Sequence, residues 1–101
     1  MNKLVELVEK WSIEKGLDKA DSSKQFLKVV EETGEVAAAL ARGDKLALID
    51  GIGDVVVTLI ILGQQNGLEL QDCLQYAYDE IKGRKGQMVD GVFVKQSDLE
   101  G

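Results

Sequence analysis

Two short runs hold most of the reactive chemistry in this 101-residue chain: Glu31-Glu32-Thr33-Gly34-Glu35, and the pair Asp50 and Asp54. At about 100° per residue, Glu32 and Glu35 stand roughly 60° apart on one helix face, and Asp50 and Asp54 roughly 40° apart, one turn above the other. The aspartates stand out because the residues around them, from Leu46 to Leu62, are almost all apolar or small. An ionised carboxylate removed from water is costly unless a cation, hydrogen bonds or a proton compensates, so two on one stripe of a buried helix require a partner. A solvated surface accounts for Glu31, Glu32 and Glu35 taken alone. It accounts less well for Asp54, which lies too deep in its segment for a capping or dipole role.

If the two segments are helices packed antiparallel through the short link at Gly43, then Glu32, Glu35, Asp50 and Asp54 converge. The chain has no histidine and one cysteine, Cys73, which excludes Ser-His-Asp and Cys-His catalysis, histidine-ligated metals and an intramolecular disulfide. An all-carboxylate site suits a hard cation such as Mg²⁺ or Mn²⁺, and Mg²⁺ commonly shares its shell with substrate phosphates, which points to a phosphorylated substrate. The cluster Lys82-Gly83-Arg84-Lys85-Gly86 has the make-up of a phosphate clamp, Arg84 offering a planar fork and the lysines point charges; cations after a helix also complement its dipole. Lys28, one turn before Glu32, is either a further phosphate contact or an ion-pair partner of Glu32. The net charge of -6 disfavours binding to nucleic-acid backbone or to an anionic membrane.

The elements that must position these residues read as helices. Leu4, Leu7, Val8 and Trp11 recur at helical spacing, predicting a helix over 2–15 that stops near Gly16. Ser22 and Gln25 are spaced as a capping box for a second helix over 23–42, whose core stripe is Phe26, Val29, Val30, Thr33, Val36 and Leu40. Asp44 can cap a third over 45–65; its Val55-Val56-Val57-Thr58 run has β propensity, but the length favours a helix over a buried strand. Leu70, Leu74, Ala77 and Ile81 mark a fourth over 70–82. In the tail, 83–101, Asp90-Gly91 between β-prone runs signals a hairpin. Trp11, Phe26, Tyr76 and Tyr78 could stack on a base, but at helical spacing they read as core or interface residues, and Cys73 reads as a small core residue. The apolar stretch Val55–Leu62 is too short to span a bilayer and no signal core is visible, so the expected location is cytoplasmic. The sum is a single all-α domain, a four-helix bundle with a C-terminal hairpin or extended tail. A chain this short cannot easily cover every apolar face of the third helix, so a homo-oligomer is expected.

The run Lys28–Ala37 followed by Asp50-Gly51-Ile52-Gly53-Asp54-Val55-Val56-Val57 resembles the MazG-like branch of the all-α nucleoside triphosphate pyrophosphohydrolases, in its short bacterial and phage form. The tail through Arg84-Lys85-Gly86 and Gly91-Val92-Phe93-Val94-Lys95 resembles the same short proteins. That family carries Glu-x-x-Glu on one helix and Glu-x-x-Asp on the next, so the resemblance implies metal ligands at Glu32, Glu35 and Asp54. Where the pattern has the first Glu of Glu-x-x-Asp this chain has Gly51, and the carboxylate sits one residue earlier. Asp50 is one turn from Asp54 and can serve as the replacement ligand, directly or through water. The implied activity is Mg²⁺-dependent hydrolysis of a nucleoside or deoxynucleoside triphosphate to the monophosphate and pyrophosphate, built in homodimers or homotetramers. Metal would neutralise phosphate oxygens and acidify a water, Glu31 or Glu35 would accept its proton, and Lys82, Arg84 and Lys85 would stabilise phosphate charge. The alternative reading is a helical nucleotide-binding or interaction module that keeps the scaffold with little or no turnover.

Overall fold

The computed structural model describes residues 3–100. The chain forms α1 (Lys3–Glu14), a 3₁₀ turn (Leu17–Lys19), α2 (Ser22–Arg42), α3 (Lys45–Gln65), α4 (Leu70–Ile81), strands β1 (Gly86–Val89) and β2 (Val92–Lys95), and a short α5 (Gln96–Glu100). The four expected helices and the hairpin are therefore present, in an all-α fold with one short strand pair. The expected start of the first helix at Asn2 falls outside the described residues. The 3₁₀ turn and α5 are additions that no periodic pattern announces, because each is about one turn long.

Two residues both end α2 and begin α3. Gly43 adopts the left-handed conformation (φ 66°), and the amides of Gly43 and Asp44 donate back to the Leu40 and Ala39 carbonyls. Asp44 then caps α3, its carboxylate accepting from the Ala47 amide at 3.0 Å. This tight link turns the chain back on itself, so α2 and α3 pack antiparallel. The start of α2 differs from the expected capping box: Asp21 is the cap, accepting from the Ser23 hydroxyl (2.6 Å) and the Ser23 amide (2.8 Å), bonds that hold its carboxyl below its ordinary pKa. Gln25 is used across the helix pair instead, Nε2 donating to the Thr58 carbonyl at 3.1 Å.

The β-branched run in α3 is helical throughout. The hydroxyl of buried Thr58 donates to the Val55 carbonyl at 2.7 Å, which satisfies it within the helix. Midway along α3, Gly51 is buried against α2: a Cβ at this position would lie 3.1 Å from Val36 Cγ2 and 3.6 Å from Val36 Cα. The C-terminal end of α3 carries α1 and the 3₁₀ turn, tied to it by Gln64 Nε2 donating to the Glu9 carbonyl (3.1 Å) and Gln65 Nε2 donating to the Leu17 carbonyl (2.9 Å).

The buried core is small: Val5, Ala39, Ile60 and Ile61, with Ser12 and Thr58 among them. The expected stripe of α2 is largely outside it. Phe26, Val30 and Leu40 are exposed, and Ala39, the small residue facing α3, is the buried one. Trp11, Tyr76 and Tyr78 are likewise exposed, which leaves the interface half of their core-or-interface reading, while Cys73, expected in the core, is exposed, as are Leu46, Ile49 and Ile52 of α3. Taken whole, α3 is long and apolar enough to cross a membrane by length and composition (mean hydropathy 2.2, 22% of that window buried), which the shorter stretch Val55–Leu62 does not convey. A mostly buried core helix of a soluble protein meets the same criterion.

The residues up to Gln71 form one compact unit and those from Asp72 a second. In the second, β1 and β2 pair antiparallel from Gly86 opposite Lys95 to Val89 opposite Val92, through a turn in which Asp90 (φ 51°) and Gly91 (φ 81°) both take positive φ, as a two-residue hairpin requires. The short α5 packs on the two strands, and the Gln96 amide donates to the Lys85 carbonyl at 2.7 Å.

The Gly51–Val36 contact makes a direct prediction. Gly51→Glu, which writes the Glu-x-x-Asp pattern into this chain, overpacks the crossing and lowers stability by about 1–3 kcal/mol, and adding Val36→Ala recovers part of the loss. Urea denaturation of the two variants and their combination measures both effects.

Candidate functional site

A cavity of about 270 Å³ opens between α2 and α3, lined by Glu31, Glu32, Glu35 and Arg42 from one helix and Ala47, Asp50, Gly51 and Asp54 from the other. The two acidic runs therefore meet along one groove, with Glu31 included. Antiparallel packing about the Val36–Gly51 crossing accounts for this: Glu32 of α2 comes level with Asp54 of α3, and Glu35 with the turn that carries Asp50. Small residues at 47 and 51 leave the room between them.

The carboxylates are less desolvated than the apolar sequence around them suggests. Glu32 and Asp54 are half-buried, whereas Glu31, Glu35 and Asp50 are exposed, so Asp50 is not the buried charge that the hydropathy of α3 predicts. Asp50 is open to water, one turn from half-buried Asp54.

The expected phosphate contacts divide between the two units. Lys28 Nζ lies 3.6 Å from Glu31 Oε2, an exposed pair, and so partners Glu31 rather than Glu32; it does not line the cavity. Such a pair is worth about 0.2–0.5 kcal/mol. Lys82 pairs with Asp79 at 3.0 Å, and Lys82, Arg84 and Lys85 all belong to the second unit, where the end of α4 leads into β1. The cation that does line the cavity is Arg42, which the sequence reading did not single out. A signal was available: Arg42 follows Glu35 by seven residues, two helical turns on the same face.

The donor set has the chemistry of a site for a hard divalent cation, since five carboxylates line it and no nitrogen or sulfur ligand does. As the side chains stand, no three acidic or cysteine groups among the described residues are gathered closely enough to hold one ion.

Comparison with known proteins bears on this geometry. The MazG nucleotide pyrophosphohydrolase domain model matches residues 21–89, which include α2, α3, α4 and β1. The chain belongs to this family. It is also 31% identical over 70 residues, 68% of its length, to an uncharacterized 18.2 kDa protein from the rep-hol intergenic region of Haemophilus phage HP1, of whose length the match covers 43%. No solved structure matches the chain. At Gly51 a Cβ would stand 3.1 Å from Val36 Cγ2, so a side chain at this position requires Val36 to shift.

Five like charges on one cavity repel through water, so stability should depend on salt in a chelated sample. Raising NaCl from about 0.01 M to 0.1 M, which shortens the screening length from about 30 Å to 10 Å, is expected to raise the unfolding midpoint. Asp54→Asn, removing one of the charges, raises it by itself at low salt and flattens the salt response. Thermal unfolding in chelator measures both; an Asp54→Asn variant destabilised at every salt concentration would contradict the repulsion.

Proposed function

We propose that this MazG domain is a Mg²⁺-dependent nucleoside triphosphate pyrophosphohydrolase that cleaves a nucleoside or deoxynucleoside triphosphate between the α and β phosphates, with Mn²⁺ able to replace Mg²⁺. The observation that carries the reading is the cavity lined by five carboxylates from α2 and α3, within the stretch that matches the MazG nucleotide pyrophosphohydrolase domain.

Glu32, Glu35, Asp50 and Asp54 are the residues that would hold the cation. When bound, it would neutralise phosphate oxygens and make water more acidic. The chain's own groups do the rest. Glu31 or Glu35, both exposed on the cavity, accepts the proton of the attacking water. The water oxygen forms a bond to the α phosphorus, the bond from that phosphorus to the α–β bridging oxygen breaks, and the electron pair leaves with pyrophosphate. The products are a monophosphate and pyrophosphate, and no redox partner is needed. Lys82, Arg84 and Lys85 are retained as candidate phosphate contacts.

The exposed apolar residues of α1 and α3, Leu4, Leu7, Trp11, Ile49 and Ile52 among them, support assembly as a homodimer or homotetramer. Covering them with further copies of the chain also removes the need for a membrane or a nucleic acid partner, in keeping with a cytoplasmic protein of net charge -6.

A second reading, a nucleotide-binding module with weak or no turnover, is favoured by one observation: glycine occupies position 51, where the resemblance expects a glutamate. Incubation with each nucleoside and deoxynucleoside triphosphate, with Mg²⁺, with Mn²⁺ and with chelator, separates the two. Hydrolysis to monophosphate and pyrophosphate that chelator abolishes supports the enzyme, whereas binding without products supports the module.

Glu35→Gln keeps the side-chain shape and removes the charge, so it should abolish hydrolysis with the helical content unchanged. Asp50→Asn should weaken the stabilisation by Mg²⁺, which for a cation at 100 times its dissociation constant is about 2.7 kcal/mol in the unaltered protein. Unchanged Mg²⁺ stabilisation in Asp50→Asn would remove Asp50 from the ligand set.

A further inference from the structure

We infer that Arg42 grips the phosphates at the leaving end of the triphosphate and thereby fixes the direction in which the substrate lies along the α2–α3 groove. The inference rests on the pyrophosphohydrolase reading above and extends it to the orientation of the substrate.

Arg42 lines the cavity with five carboxylates, yet it is in neither of the two ion pairs found among the described residues, Lys28 with Glu31 and Lys82 with Asp79. Its charge is not consumed by the acids around it. Lys28, also considered for phosphate binding, is paired with Glu31 and does not line the cavity, whereas Arg42 does. Arg42 thus offers a guanidinium within the site itself.

The helix geometry gives it a definite place. Seven residues separate it from Glu35, which puts the two on one face to within about 20° and about 10 Å apart along the axis. Side chains on a helix lean toward its N-terminus, so the Arg42 stem runs back along the groove toward Glu35. The groove is therefore polar along its length. Glu32 and Asp54 mark one end, Glu35 and Asp50 the middle, and Arg42 the end closed by the Gly43–Asp44 link. A triphosphate whose α phosphate lies at the carboxylates has two ways to lie, and the guanidinium selects the one in which the β and γ phosphates point to the link. The nucleoside then points to the end where Glu32 and Asp54 stand.

A simpler role is available, since a cation in the last turn of α2 complements the helix dipole. That role needs only positive charge, and lysine supplies it as well as arginine. Gripping two phosphates needs the planar fork with several donors fixed in space, which lysine lacks. The contact also gains strength during the reaction, because the electron pair released by bond cleavage moves onto the pyrophosphate that Arg42 holds.

The test compares the unaltered protein with Arg42→Ala and Arg42→Lys. It uses steady-state kinetics on the triphosphate, product inhibition by pyrophosphate and by the monophosphate, and calorimetric binding of pyrophosphate in Mg²⁺. Loss of a charge-assisted grip predicts that Arg42→Ala weakens pyrophosphate inhibition and binding roughly 10- to 100-fold, leaving monophosphate inhibition unchanged. Arg42→Lys is expected to keep the thermal midpoint and still lose most of the pyrophosphate affinity, which a dipole role does not predict. Equal weakening toward both products, or pyrophosphate affinity unaltered in Arg42→Ala, would overturn the assignment. If the unaltered protein turns over no triphosphate, the enzymatic reading fails separately, and calorimetry still decides Arg42: pyrophosphate that does not bind, or binds both forms equally, rejects it. Should Arg42→Ala fold poorly, Arg42→Lys carries the same comparison.

Discussion

The close approach of α2 to α3 at Gly51 and Val36 is the constraint on which the site depends. With no side chain at position 51, the two helices meet almost backbone to side chain, and a Cβ would already stand 3.1 Å from Val36 Cγ2. That proximity brings the carboxylates of both helices to one groove. Any side chain at position 51 would require Val36 to give way by a few tenths of an ångström. The neighbouring Asp50 lies on the open side of the crossing, where there is room and water. Packing and chemistry have thus divided two adjacent residues between them.

Holding five carboxylates together carries an electrostatic cost that the chain limits in identifiable ways. Glu31, Glu35 and Asp50 stay in contact with water, Lys28 draws Glu31 toward itself, and Arg42 adds one positive charge to the cavity wall. What remains is a negative potential fit for a hard cation. Rigid support comes from outside the groove, where three glutamine amides, Gln25, Gln64 and Gln65, tie α2, α1 and the 3₁₀ turn to backbone carbonyls across the helix interfaces.

The remaining tension lies in α3. Its composition is that of a buried helix, but the described chain buries it at few positions. Small residues, Gly51 and Ala39, make the α2–α3 contact close and therefore narrow, and Leu46, Ile49 and Ile52 of α3 stay exposed. The proposed assembly answers this with further copies of the chain, whose apolar faces would be the same.

Local features of the sequence alone determined the helices, their ends and the hairpin. Gly43 and Asp44 dictate a stop and a start by backbone conformation and capping, Asp90-Gly91 dictates a two-residue turn, and the spacing of Glu32, Glu35, Asp50 and Asp54 places each pair on one helix face. Within the family match, those same residues now share one cavity. Tertiary structure decided the rest. Hydrophobicity put Phe26, Val30 and Leu40 on a core stripe and Cys73 in the core, yet burial depends on what packs opposite, and Ala39 was buried because α3 comes close where the residues are small. Capping by Asp21 released Gln25 to cross to Thr58, a choice between local and long-range partners that spacing cannot make. Arg42 entered the site because the tight link leaves the end of α2 beside the start of α3. Periodicity is a property of one helix, whereas a cavity is a property of two.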